Sequence, residues 1–353
     1  MTRPRPTPTT IGVWVGLTAV FSLADTATVR AQDTQEANPP ARILQEQHQP
    51  STSAVWGPWP ELPWDDREVE RGSWVDLLNK PFDLTRRGAA GEARRYLIRR
   101  TNLNLDRLGR VIGRLVVEGR LIRTLLNEVA PGRWAEEFEW EAFALGQSQQ
   151  ADAYPTTADV EAARGIRYEF VPGEFDHINI PADFARLGTG MEGTLMKILA
   201  MDASAFDAIV IGLRDQIGDS AVIGSVAYST PWSQAATISQ TGGTGAAGSY
   251  QLGEMRTVPA GVTRWHGEPC AIIWFSAEGN TVIADIETDL LSVHTEGTEY
   301  FRGELALSLV DGRIVAGDIW GPLPSRIEVG IGGNPPAEQP IAAVLQQISM
   351  REQ

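Results

Sequence analysis

The sequence predicts a mainly β fold of the α+β kind: a curved antiparallel sheet or half-barrel with a few covering helices. Three observations carry this. The stretch 134–143 alternates, with Trp134, Phe138 and Trp140 on one side and Glu137, Glu139 and Glu141 on the other, which is the period of a half-buried strand. Strand signals recur at 250–258, 270–277, 281–289, 299–309 and 313–320; strands this close together leave no room for crossover helices, so the sheet must be antiparallel. Glu278-Gly279-Asn280 and Asp311-Gly312 separate these runs as hairpin turns.

The elements follow in order. Arg3 and Arg5 precede an apolar run, 11–24, and a polar stretch ends in Val29-Arg30-Ala31. These are the parts of a Sec-type secretory signal, so 1–31 is expected to be cleaved after Ala31, leaving a periplasmic or secreted protein. The run has fourteen residues, short of the roughly 20 of a membrane helix, so no stable transmembrane span is expected after cleavage. Pro4 splits the two arginines, against the twin-arginine route.

Residues 32–71 read as a Pro/Trp-rich linker. Within it Trp56, Trp59 and Trp64 lie among prolines in an extended stretch, either a lid clamped onto the core or a binding strip. Residues 72–334 form the β-rich domain, divisible into sub-sheets at 86–171 and 221–332. Leu105, Leu108, Ile112 and Leu115 also fit a helical stripe, but Gly109, Gly113 and Gly119 disfavour a helix, so 94–105 and 110–118 are read as a meander. The turn 130–133 pairs 121–129 with 134–143. A strand is expected at 166–171, a short helix at 181–187, and one or two helices at 191–213, interrupted near Asp202-Ala203-Ser204 with Asp202 as a cap. The final 335–353 reads as a tail with at most one short amphipathic helix.

Net charge is −15, and −17 without the signal, which repels phosphate backbones and argues against nucleic-acid binding. The stretch 86–133 departs from this with twelve Arg against Glu92, Asp106, Glu118 and Glu128. Those arginines either hold an anion or occupy the wet side of their strands and pair with the neighbouring acidic strand, and the second is the preferred reading. The single cysteine, Cys270, lies in an apolar run and is expected to be a buried thiol. Gly243 to Gly248 matches a dinucleotide fingerprint in spacing but precedes a strand instead of opening a helix, so no dinucleotide is expected. His177, His266 and His294 are scattered, and neither a metal nor any cofactor is assigned. No catalytic residue is assigned either.

Tyr250-Gln251-Leu252-Gly253, the runs around Cys270 and Thr281, Tyr300-Phe301-Arg302-Gly303 and the closing Asp311-Gly312-Arg313 resemble uncharacterised exported bacterial proteins. Those are similar in outline to lipoprotein-localisation and lipocalin-like half-barrels. The resemblance implies a curved sheet wrapped around a helix or a ligand, and carries over no catalytic residue.

Strand parity then gives candidate ligand contacts. Val282, Ala284 and Ile286 fall on one face and Ile283, Asp285 and Glu287 on the other. Burying unpaired carboxylates costs several kcal/mol each, so the Val282 face is the inner one. Leu305, Leu307 and Leu309 turn inward by the same rule, leaving Glu304 and Ser308 to solvent. Ile272 and Trp274 share one face and Ile273 and Phe275 the other, which predicts a central strand covered on both sides. The expected cavity is apolar, without a converging acid pair. The resulting function is an exported non-catalytic binder of an apolar or amphiphilic small molecule, or an envelope scaffold meeting another envelope component, with Trp56, Trp59, Trp64, Val282, Ala284, Ile286, Leu305 and Leu307 as contacts. The alternative is a secreted glycan hydrolase using a carboxylate pair such as Asp285 and Glu287.

Overall fold

The structure, a computed structural model, describes residues 80–148, 155–171, 191–229, 236–238, 245–251, 253–287, 291–331, 337–338 and 341–353. Three long strands open it: β2 (Ala93–Asp106), β3 (Val111–Ala130) and β4 (Arg133–Ser148), after the short β1 (Phe82–Asp83). The predicted meander is therefore present, with 110–118 and 121–129 fused into the single strand β3. Its first turn is held by Asp106, whose Oδ1 accepts from the backbone N–H of Leu108 at 2.8 Å and of Arg110 at 2.9 Å. Two small strands, β5 (Ala158–Asp159) and β6 (Arg167–Phe170), pair with β4.

One helix comes next, α1 (Met191–Ile217), without the expected interruption. Asp202 is not a cap. It sits in mid-helix, its carboxylate taken by Arg100, while Ala203 and Ser204 are buried where small side chains let the helix lie close to the sheet. The helix expected at 181–187 lies outside the described residues. No helix among the described residues is long and apolar enough to cross a membrane.

The chain then returns to strands. The short β7 (Ser220–Ala221), β8 (Ala227–Ser229) and β9 (Ala236–Ile238) lead into β10 (Gly245–Gln251) and β11 (Glu254–Trp265). Three long strands come after them: β12 (Glu268–Glu287), β13 (Leu291–Ser308) and β14 (Ile314–Ile331). The last are β15 (Ala337–Glu338) and β16 (Ile341–Glu352). The turn expected at 278–280 is instead a bulge inside the 20-residue β12: Gly279, at φ +74°, supplies the left-handed residue, and the register with β13 slips between Ala277 and Asn280. The side chain of Asn280 accepts the backbone N–H of Gly253 at 2.8 Å, which ties the bulge to the neighbouring segment. At Gly312, φ +70°, the predicted hairpin does turn.

Fourteen strands form one antiparallel sheet, ordered β5-β4-β3-β2-β16-β14-β13-β12-β10-β9, with β6, β8, β11 and β15 beside this path. The sheet is open: among the described residues nothing pairs its first strand with its last. The segment expected to be a tail is its centre. β16 pairs with β2 on one side and β14 on the other, joining the two expected sub-sheets. Its alternation explains why: Ile348 and Met350 join the core, while Ser349 and Arg351 face away and both bond to Asp318.

α1 lies on one face of this sheet. Its first half packs with Ile98, Leu115, Val117, Phe138 and Trp140, and its second half with Ile273, Leu305, Leu307, Ile319 and Ile348. Leu305 and Leu307 are thus inward as expected, and Leu309 packs at the margin. Ser308, expected in solvent, is fully buried and hydrogen-bonded to Glu268. The 270–277 strand is covered on the helix side by Ile273 and Phe275, but Trp274 is 52% exposed, so the expectation of cover on both faces fails there.

Candidate binding site

The helix-facing side of the sheet is not wholly apolar. Between the two apolar clusters run polar side chains placed by strand parity. On β2, Tyr96, Ile98 and Arg100 face the helix; on β4, Glu136 shares the inward side with Phe138 and Trp140. A bulge opposite Arg120 and Leu121 leaves Glu141 as the extra residue of β4, so inward positions continue beyond it at Phe143.

At one end of the helix these positions enclose a cavity of about 50 Å³. It lies where the second half of α1 meets the 84–86 segment and the two hairpin turns at Gly132 and Gly312. Six guanidinium side chains line it: Arg86, Arg94, Arg123, Arg133, Arg214 and Arg313. Two carboxylates join them, Glu136 from the sheet and Asp207 from the helix, with Leu84, Tyr96, Val210, Ile211 and Ile314 as the apolar wall. Arg123 holds both acids, its Nε 2.7 Å from Glu136 and its Nη2 2.9 Å from Asp207. The same guanidinium lies 4.9 Å from the ring centre of Phe138 and 5.5 Å from that of Tyr96.

Five acids outside the cavity lining meet the four positive charges that Glu136 and Asp207 leave over. Arg86 pairs with Asp311 at 3.2 Å, Arg94 with Glu92 at 2.7 Å, Arg214 with Asp219 at 2.6 Å, and Arg313 with Glu268, Asp311 and Glu352. Elsewhere Arg99 pairs with Glu118, Arg100 with Asp202, and Arg351 with Asp318. The preferred reading of the Arg-rich stretch is met only in part: most of its members pair with acids, but Arg99, Arg100, Arg114 and Arg123 are buried instead of lying on a wet face, and Arg100 and Arg123 pair with helix residues. What that reading missed is that four of them, Arg86, Arg94, Arg123 and Arg133, converge on one cavity.

Burial sets the protonation behaviour there. It pushes the Asp207 carboxyl above its ordinary value despite the attraction of Arg123, and its second oxygen finds no hydrogen-bond donor among the described residues. At the rim burial also acts on Asp311, but the backbone N–H of Arg313 and the charges of Arg86 and Arg313 outweigh it and hold that carboxyl low.

A second cavity of about 30 Å³ lies under the middle of α1. Ala205, Ile209, Ile319 and Ile348 form its apolar part, and Asp202, Glu299 and Gln346 its polar part. Arg100 bridges this polar group, 2.8 Å from Asp202 and bonded to Gln346, whose amide reaches Glu299 at 3.5 Å. Both cavities thus hold two carboxylates, and the first is rich in charge. Neither of these two cavities among the described residues is the expected apolar one without converging acids. The reason is that helix residues Asp202 and Asp207 meet sheet residues 102 and 84 positions away in the chain, a juxtaposition strand parity does not describe.

Of the contacts expected from sequence, Trp56, Trp59 and Trp64 lie outside the described residues. So do the side chains of Val282, Ala284 and Ile286, as do those of Asp285 and Glu287, although β12 carries their backbone. Leu305 and Leu307 are fully buried under α1 and line neither cavity. No cluster of three or more metal-ligating side chains occurs among the described residues. Glu136 was legible: it stands at an inward parity between Trp134 and Phe138, where an acid needs a buried partner.

No protein family matches the chain, and no curated protein does. A solved structure to which it is similar, a putative AttH from Nitrosomonas europaea, is 9% identical over 73% of this chain and 92% of that one, at a TM-score of 0.13. Likeness at that level carries no argument.

Proposed function

We propose that the protein is a non-catalytic binder of an amphiphilic small molecule with an anionic head group, taken up between α1 and the sheet. One observation carries this: a cavity whose lining joins six guanidiniums to an apolar wall of Leu84, Tyr96, Val210, Ile211 and Ile314. Guanidiniums donate in a planar fork suited to carboxylate or phosphate oxygens, and the wall suits the first carbons of a tail. The cavity of about 50 Å³ seats a head group only, since a whole ligand of this kind fills about 300 Å³ or more. The tail then runs outward past Arg94, which is 41% exposed. The half-barrel resemblance and the expected export agree with a carrier or scaffold of the envelope.

The test is binding of a fluorescent fatty acid and of dodecyl phosphate to the full chain, with Arg94→Ala and Arg133→Ala as variants. Saturable binding weakened by either variant is the expected result. No binding of either probe, or binding indifferent to both variants, overturns the reading.

Glu136 and Asp207 in one cavity favour a second reading, a glycan hydrolase whose acid is Asp207, the carboxyl that burial raises. Hydrolysis of oligosaccharides that Asp207→Asn abolishes, with the fold intact, would establish it in place of the binder.

A further inference from the structure

On the face of the sheet turned away from α1, Cys270, Ala306, Ala316 and Asp318 are buried, whereas the part of β12 and β13 around Trp274 and Tyr300 is exposed. Ile273, Phe275, Phe301, Leu305 and Ile319 point to the helix, so Trp274, Tyr300, Arg302, Glu304 and Trp320 point the other way. Trp274 is 52% exposed and Tyr300 42%. An indole left half in water on a flat sheet gives up much of the burial that makes it worth placing there.

These rings are held in position. The Nε1–H of Trp274 donates to Glu304 Oε2 at 3.0 Å across adjacent strands, fixing the edge of a ring that is half exposed. The Arg302 guanidinium lies 5.7 Å from the ring centre of Trp320, directly opposite it in the register with β14. Trp274 is opposite Glu304, and Glu304 is opposite Asp318, so the two tryptophans lie two strands and two residues apart. Sheet spacings put their Cα atoms about 12 Å apart.

The chemistry between the rings selects the occupant. An apolar protein partner needs a dehydrated centre from which charge is excluded, whereas here Arg302 and Glu304 stand between the aromatics. A sugar chain offers both things the surface presents a place for: C–H faces that lie flat on aromatic rings, and hydroxyls that bond to carboxylate and guanidinium. We infer that this face is a carbohydrate-binding platform for a linear oligosaccharide, with Trp274 as the main stacking ring, Tyr300 and Trp320 extending the track, and Arg302 and Glu304 bonding hydroxyls. Tyr300 also borders the smaller cavity under α1, but Trp274, Arg302, Glu304 and Trp320 line neither cavity, and the inference does not rest on the reading of either.

The test is titration of the full chain with hexasaccharides of β-1,4-linked glucose, β-1,4-linked N-acetylglucosamine and α-1,4-linked glucose, read by calorimetry and by tryptophan fluorescence. At least one should bind. Losing one stacking contact in Trp274→Ala should weaken it about tenfold, with Trp274→Phe closer to the parent protein. Since Trp274 is half exposed, both variants should keep the parent circular dichroism. The inference is overturned if none of the three binds at millimolar concentration, or if Trp274→Ala binds as well as the parent.

Discussion

Removing Asp202 should cost far more than its two hydrogen bonds suggest. Arg100 is 1% exposed and lies between the sheet centre and α1, with its Nη1 2.8 and 2.9 Å from the two oxygens of Asp202. Asp202→Ala leaves that guanidinium buried without its counter-charge, a loss of about 3–5 kcal/mol for a broken buried pair. Gln346, and Asn102 at 3.2 Å, still accept from Arg100, which places the expected value near the lower end, about 3 kcal/mol. Such a loss is a large share of a total stability of about 5–15 kcal/mol. Replacing both partners with apolar side chains, Arg100→Met with Asp202→Leu, removes the desolvation cost as well as the attraction. That pair should sit within about 1 kcal/mol of the parent, the remainder being the hydrogen bond that Gln346 no longer accepts. Urea unfolding of the parent, both single variants and the double variant measures each value and their coupling. If Asp202→Ala costs under about 1 kcal/mol, or the double variant costs the sum of the singles, the pair is not an interior latch between helix and sheet.

Burial raises the carboxyls of Asp202 and Asp207 above the ordinary 3.8, so the native state holds their protons longer than the unfolded chain does. The stability they contribute is fullest below that ordinary value and falls as pH rises through the raised one; Asp202→Asn should flatten this slope in unfolding measured between pH 3 and pH 7. Leu307→Asp places a carboxylate at a fully buried position under α1, and circular dichroism should show the variant unfolded or destabilised by more than about 4 kcal/mol. Cys270 is fully buried, and burial, helped by the charge of Glu268, pushes its thiol up to about 12. A thiol reagent should label the native protein slowly and the denatured protein at once, and fast native labelling would refute the burial. Protein recovered from the envelope or medium of its host should begin at Gln32 by terminal sequencing; an intact Met1 on the exported form would end the cleavage proposal.

Much of the fold was legible because it depends on local alternation. The β3–β4 hairpin announces itself through Trp134, Phe138 and Trp140 against Glu137, Glu139 and Glu141, and the structure buries Phe138 and Trp140 completely. Residues 341–352 do not announce a strand, because Ala343, Leu345, Gln346 and Met350 suit a helix equally well, and only pairing with β2 and β14 decides between them. Gly279 is ambiguous because a left-handed glycine serves a turn and a bulge equally, and the continued pairing of β12 with β13 on both sides of it selects the bulge. Asp202 looks like a cap because an acid in an apolar helix has no local explanation; its explanation is Arg100, on a distant strand.

The sequence by itself determined the class of fold, the inward faces of β4 and β13 and the burial of Cys270, since each comes from the two-residue period of a strand and the cost of burying charge. Only the tertiary structure decided that the last strand joins the two halves of the sheet, that α1 is continuous, and that arginines from separate strands meet Glu136 and Asp207 around one cavity. These depend on which segments become neighbours across the sheet and on where one helix crosses it. Such contacts are set by the summed packing of the whole core, and no single segment carries a record of its partner.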